Sequence, residues 1–271
     1  MNCFIGTLLF LCFVLSHGDL DLRIREKSNQ IASHPLDQDL YLERGELYLL
    51  HEEFLKARLD FTFCLDHKLV NTRVLLGMSK SLLYLNSPDS AFQYVERVLT
   101  LDDHHLPALE LKGAILSALG KYCDAARTLE QLIIIAERPS PALFLEAAND
   151  WESCSENGSS QKEIQLLEEG IRRIGAIGVL QQQLVSAYKR QGKYEEAIQI
   201  LSSIIGQSDL KIRPYFERAQ LYIEMHSTDK AKEDLSKALS LIDQLPVQKK
   251  SLASIENMRS EIIVLLTELR K

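Results

Sequence analysis

Three alanines set the size of the folding unit. Ala57, Ala91 and Ala125 stand 34 residues apart, and Gly45, Ser79 and Gly113 keep the same step twelve residues upstream. Ala197 and Ala231 repeat the interval, with Glu163 one step before Ala197. A fixed period of this length means that one supersecondary unit is stacked several times, each copy burying a face that its neighbour covers. The register slips once, between Ala125 and Glu163, which are 38 apart. The four extra residues are expected in the polar stretch from Ser155 to Ser160.

Inside each copy apolar residues recur at helical three-and-four spacing, as in Leu75, Met78, Leu82 and Leu85, which predicts helices rather than strands. Small residues at the Gly45 and Ala57 positions let two antiparallel helices approach closely, and larger ones at Tyr48 and Phe61 fill the space beside them. Breakers fall between copies: Pro107, Pro139, Pro141 and Pro214 precede or start helices. With 46% apolar and 25% charged residues in 271, the chain has ample material for a large core.

The first copy reads Tyr41, Gly45, Tyr48, Ala57, Phe61, and the last Tyr215, Ala219, Tyr222, Ala231, Leu235. The fifth carries Tyr188 and the turn Gln191-Gly192-Lys193-Tyr194 before Ala197. In these residues the chain resembles the tetratricopeptide repeat family over about residues 38–245. The fourth copy matches least, with Asp150 at the Tyr position and Glu163 at the Ala position. The resemblance implies an all-α, right-handed α-solenoid of about six helix-turn-helix repeats, starting near residues 38, 72, 106, 140, 178 and 212. A leading helix (19–37) and a capping helix (247–271) complete it. The cap is read from the apolar stripe Leu252, Ile255, Met258, Ile262, Leu265, Leu266 and Leu269.

The resemblance also places ligand contacts on the first helix of each copy, at its second, fifth, ninth and twelfth positions. The fifth are then Leu42, Leu76, Glu110, Phe144, Gln182 and Phe216; the ninth Glu46, Lys80, Ala114, Ala148, Ser186 and Gln220; the twelfth Leu49, Leu83, Ser117, Trp151, Lys189 and Ile223. Chaperone-binding members hold a C-terminal carboxylate with Lys at the fifth and Asn at the ninth position, and in this register neither appears. What remains is a largely apolar groove for a partner protein, formed by Leu42, Leu76, Phe144, Trp151 and Phe216. Arg73, Lys80, Lys189 and Arg213 stand near it, with Arg190 close by. Aromatic and Arg anchors usually carry binding energy. The competing reading packs Phe144 and Trp151 against neighbouring helices.

The N-terminus is set apart. Residues 1–15 contain no charged side chain, and small residues follow at Ser16 and Gly18. This fits a cleaved secretory signal within residues 1–18, cut after Ser16 or Gly18, and is too short to span a bilayer comfortably. An exported protein with no stable membrane span after cleavage is expected, in a bacterial periplasm or secreted, or in the secretory lumen of a eukaryote. Cys3 and Cys12 leave with the signal. Of Cys64, Cys123 and Cys154, at most one bridge can form. The spacing leaves Cys123–Cys154 open and gives Cys64 a small, buried position.

No cofactor is expected. Asp102-Asp103-His104-His105 has the side chains of a metal site but the position of an inter-repeat turn. Asn157-Gly158-Ser159 is a glycosylation sequon on an expected loop. A formal charge of −7 argues against nucleic acid as a partner. No phosphate loop, nucleophile elbow or metal-binding His pair occurs, so no enzyme is expected. The sequence points to a scaffold or adaptor acting outside the cytoplasm. A structural subunit of an envelope assembly is the alternative, and a metal-binding accessory protein using His17 or His104 and His105 a third.

Overall fold

The computed structural model describes residues 19–270 apart from 208 and 210, so the expected signal segment, His17 included, lies outside the described residues. Helix α1 occupies residues 19–33. Six helical pairs follow: α2 (Gln38–Leu50) with α3 (Phe54–Asp66), α4 (Thr72–Tyr84) with α5 (Pro88–Leu101), and α6 (Leu106–Ala118) with α7 (Tyr122–Ile135). Then come α8 (Pro141–Ser153) with α9 (Ser159–Ile174), α10 (Gly178–Arg190) with α11 (Tyr194–Gln207), and α12 (Ile212–Glu224) with α13 (Thr228–Asp243). The chain ends in a short turn of helix, α14 (Val247–Lys250), and α15 (Ala253–Glu268). No strand occurs among the described residues. The fold class is an all-α solenoid of helical hairpins.

The helices start and stop for local reasons. Asn71 caps α4 by accepting a hydrogen bond from the Val74 amide at 3.0 Å, and Pro88 opens α5 where its missing N–H costs nothing. The turn between paired helices repeats one device. Its middle residue adopts positive φ at Glu52, Asn86, Gly120, Gly192 and His226, and the next residue's amide bonds back to the helix, as from Lys121 to Leu116 and Lys193 to Tyr188. These are Schellman-type C-caps, for which glycine carries no steric penalty.

The chain forms two compact units. The first runs through Pro139 and takes in Ser153–Ser155; the second comprises residues 140–152 and 156 onward. In the first unit Phe61, on α3, is wholly buried between two glycines. A Cβ on Gly45 of α2 would lie 2.9 Å from the Phe61 ring, and one on Gly77 of α4 only 2.3 Å from it. One aromatic side chain thus joins its own hairpin to the next, and Gly113 gives Leu129 similar room in the third hairpin. The period-setting alanines Ala57, Ala91 and Ala125 are fully buried. Cys64 is also buried, and burial pushes its thiol up to about 11.

In the second unit Phe144 packs on Gly170 of α9, while Phe216, Ala219, Leu235, Ala238 and Ile242 form a core that Ile262 of α15 closes. Ile255, Met258, Leu265, Leu266 and Leu269 pack against that core, whereas Leu252 is exposed. The expected capping helix is therefore two elements, broken at Ser251–Leu252, with α15 seated on α13.

A buried ion pair recurs in the first and last hairpins. Arg44 donates twice to Asp60, at 2.8 and 2.7 Å, and reaches Ser28 of α1 at 3.2 Å. Arg218 does the same to Asp234, at 2.7 and 2.8 Å, and to Ser202 of α11 at 2.8 Å. Helix α1 thus stands to the first hairpin as α11 stands to the last. It holds the place of a second helix, and its outer face is mostly polar, with Arg23, Arg25 and Glu26 exposed beside Leu22. That is the composition of a terminal cap.

The four extra residues are not all where the sequence put them. The start-to-start distance from α8 to α9 is two residues longer than in the other hairpins, and the links on either side of this pair are each one residue longer. The fourth hairpin consequently starts at Pro141, one residue later than expected.

Gly77→Ala is expected to lose about 1–3 kcal/mol through overpacking against Phe61, despite the better helix propensity of alanine. Gly206→Ala meets open space and is expected to gain about 0.5–1 kcal/mol. Urea unfolding of the two variants checks both signs.

Candidate functional site

Within the first unit the first helices touch one another, α2 with α4 and α4 with α6, while the second helices make no comparable contact. The first helices therefore form the inner row. On that row Leu49, Leu76 and Leu83 are half-buried over the core, Lys80 and Glu110 are exposed, and Ala114 and Ser117 continue the surface along α6. Arg73 is exposed but already committed, because Glu46 takes its guanidinium in a two-pronged pair at 2.8 and 2.5 Å. Leu42 does not reach the surface; it is 1% exposed and belongs to the core.

In the second unit Arg213 pairs with Glu217 at 2.7 Å, and Glu217 also accepts from Gln182 at 3.0 Å. Lys189 is exposed, in a cleft lined by Gln220, Ile223, Glu224, Glu261 and Leu265. Phe216 is 7% exposed and packs inward.

Phe144 and Trp151, the aromatic anchors expected in the groove, are both at 0% exposure. The one-residue shift of the fourth hairpin is the reason. Counted from Pro141, Phe144 is the fourth residue of its helix and Trp151 the eleventh, the places held by Tyr41 and Tyr48 in the first hairpin. One residue turns a helix by about 100°, which carries both rings from the inner row into the hairpin interior. There Phe144 meets Gly170, and the Lys162 ammonium lies 4.1 Å from the centre of the Trp151 ring. Ala148 falls on the eighth, small position between them.

The same shift brings forward residues that the sequence reading passed over. Asn149, not Ala148, is the ninth residue of α8, and Glu152, not Trp151, the twelfth. Both are exposed, and Gln183 of α10 donates to them at 3.1 and 3.4 Å. An asparagine does occupy a ninth position, then, although the fifth position beside it is Leu145 rather than lysine. The seven-residue spacing of Phe144 and Trp151, matching Tyr41 to Tyr48, was the signal in the sequence.

The Asp102–His105 stretch serves the turn before α6. Asp102 accepts from the His104 amide at 3.1 Å, and His105 Nδ1 accepts from the Ala108 amide at 3.2 Å as the helix cap. Cys123 and Cys154 are joined in a disulfide, with their Cα atoms 4.9 Å apart, and Asn157 is exposed in the loop that follows.

A family model described as tetratricopeptide repeat matches residues 180–206 and 212–244, which are the fifth and sixth hairpins. Those two hairpins are tetratricopeptide repeats. The chain's fold is similar to that of a tetratricopeptide repeat protein from Parabacteroides merdae, at TM-score 0.55 and 16% identity over 95% of this chain and 94% of that one. It is similar also to the C-terminal part of a repeat-containing protein from Cytophaga hutchinsonii, at TM-score 0.57 and 13% identity over 96% and 94%. YrrB, described as a tetratricopeptide repeat protein with an unusual peptide-binding site, matches at TM-score 0.51 and 16% identity over 68% and 93%. At these identities the likeness is one of fold. No curated protein sequence matches the chain.

Core and surface separate by mutation. Trp151→Ala removes a fully buried side chain of the fourth hairpin and is expected to cost about 3–5 kcal/mol. Lys80→Ala changes an exposed one and should stay within about 0.5 kcal/mol of wild type. Denaturant unfolding compares the two.

Proposed function

We propose that the chain is a non-enzymatic adaptor that works outside the cytoplasm and holds a segment of another protein along the inner row of its first helices. One observation carries the reading. The inner row of the first unit presents half-buried Leu49, Leu76 and Leu83 with the exposed cation of Lys80 beside them, while Arg73 is neutralised by Glu46. Apolar area with an uncommitted charge suits a side chain that brings both an apolar contact and a counter-charge. Helices already formed lower the ordering cost of binding. The peptide-binding site attributed to YrrB, on a similar fold, supports the same use here.

Two observations support export. The uncharged residues 1–15 have the composition of a signal, and the Cys123–Cys154 disulfide suits an oxidising compartment. Among the described residues no helix is long and apolar enough to cross a membrane. A structural subunit of an envelope assembly is the second reading, favoured by the exposed Ile263 and Val264 on α15. Solubility that depends on a co-expressed partner would select it.

A Leu76→Glu/Lys80→Glu variant with wild-type circular dichroism is expected to bind the partner captured from the native host roughly tenfold or more weakly. Equal capture by both proteins would move the binding surface off the inner row. In protein from intact cells, Cys123 and Cys154 are expected to resist maleimide until a reductant is added, and reduction should cost about 2–4 kcal/mol of stability. Free thiols at both positions in vivo would place the chain in a reducing compartment.

A further inference from the structure

In five of the six hairpins the small position near the start of the second helix is a buried alanine, and in the fourth it is Glu163. That carboxylate is 2% exposed. Arg190, at the end of α10 in the next hairpin, bonds to it, and the same guanidinium nitrogen lies 3.3 Å from Glu152 at the end of α8. One cation thus stands between two carboxylates from different helices, and only one of these is buried. Glu152 also accepts from Gln183, which reaches Asn149, so the cluster continues along the facing sides of α8 and α10.

We propose that Glu163, Arg190 and Glu152 form a proton-sensitive clasp between the fourth and fifth hairpins, in which proton uptake by Glu163 releases Arg190 to Glu152. The step balances as a simple protonation: the carboxylate of Glu163 takes one proton from solvent, becomes neutral, and Arg190 keeps its charge. Above the transition Arg190 is shared and ties α10 to the buried carboxylate of α9. Below it the guanidinium serves the exposed Glu152 alone, next to the Gln183–Asn149 contact.

The surroundings fit this assignment. Burial raises the Glu163 carboxyl to about 7, with Arg190 pulling it down and Glu152 pushing it up. Three other charged groups nearby have partners of their own. Lys162 on α9 lies over the Trp151 ring, Glu168 accepts from the Tyr188 hydroxyl of α10, and Lys193 at the start of α11 holds Gln161 at 2.9 Å. Asp150 on α8 is buried as well, and Lys189 on α10 is exposed. Because the folded carboxyl holds its proton more tightly than the unfolded one, the folded state binds the extra proton between about pH 4.5 and pH 7. Stability therefore falls as pH rises through that window.

The test is a ¹³C NMR titration of carboxyl-labelled glutamates in the full chain, with Glu163→Gln identifying the resonance by its disappearance. A midpoint near 7 is expected, lower in Glu152→Gln and higher in Arg190→Gln. The melting temperature of wild type should decline from pH 5 to pH 7, and that slope should flatten in Glu163→Gln. Glu163→Ala, which restores the residue of the other hairpins, gives the same comparison if the amide variant folds poorly. A midpoint below 5, or one indifferent to both neighbours, would overturn the clasp.

Discussion

The packing of one large side chain into the space left by a missing one underlies everything else in this fold. Phe61 can lie between α2 and α4 only because Gly45 and Gly77 present bare backbone to its ring. Leu129 uses Gly113 in the same way, and Phe144 uses Gly170. Each exchange draws helices close enough for the buried alanines to sit at their crossings. A hairpin by itself would leave in water the face that its neighbour covers, so each hairpin depends on the stack. The 34-residue period is the sequence record of that requirement.

Three of the buried carboxylates among the described residues, Asp60, Asp234 and Glu163, each meet an arginine of another helix. Arg44 joins α2, α3 and α1, Arg218 joins α12, α13 and α11, and Arg190 joins α10, α9 and α8. The first two are fully paired, with a planar guanidinium matched to both carboxylate oxygens and a serine taking another of its donors. Such pairs add little to stability over apolar packing, but a misaligned hairpin would leave a charge unpaired, which is costly. The third is under-supplied, with two carboxylates for one guanidinium, and that imbalance makes the junction of the fourth and fifth hairpins sensitive to protons.

Function then depends on what this packing leaves outside. The rings that looked most like binding anchors fill the fourth hairpin, and the surface is left to smaller means. The first unit offers half-buried leucines with one lysine, the second a row of amides with Lys189. The disulfide belongs to the same account. It fixes residues 153–155 to α7 within the first unit, in the stretch where the repeat period is interrupted.

The sequence by itself determined the period, the helical class and the approximate start of each hairpin, because these depend on neighbours within a few residues and on a repeat that can be counted. The Arg44–Asp60 and Arg218–Asp234 pairs share a 16-residue separation, but only the folded hairpins show that they meet. The register of the fourth hairpin was decided by tertiary structure alone. Four extra residues can be divided among three links in many ways, and a single residue's difference rotates a helix by about 100°. That rotation moved Phe144 and Trp151 inside and put Asn149 and Glu152 out. Which cysteines pair, and which carboxylate loses its water, were settled at the same level, since both depend on distances between segments that local sequence leaves free.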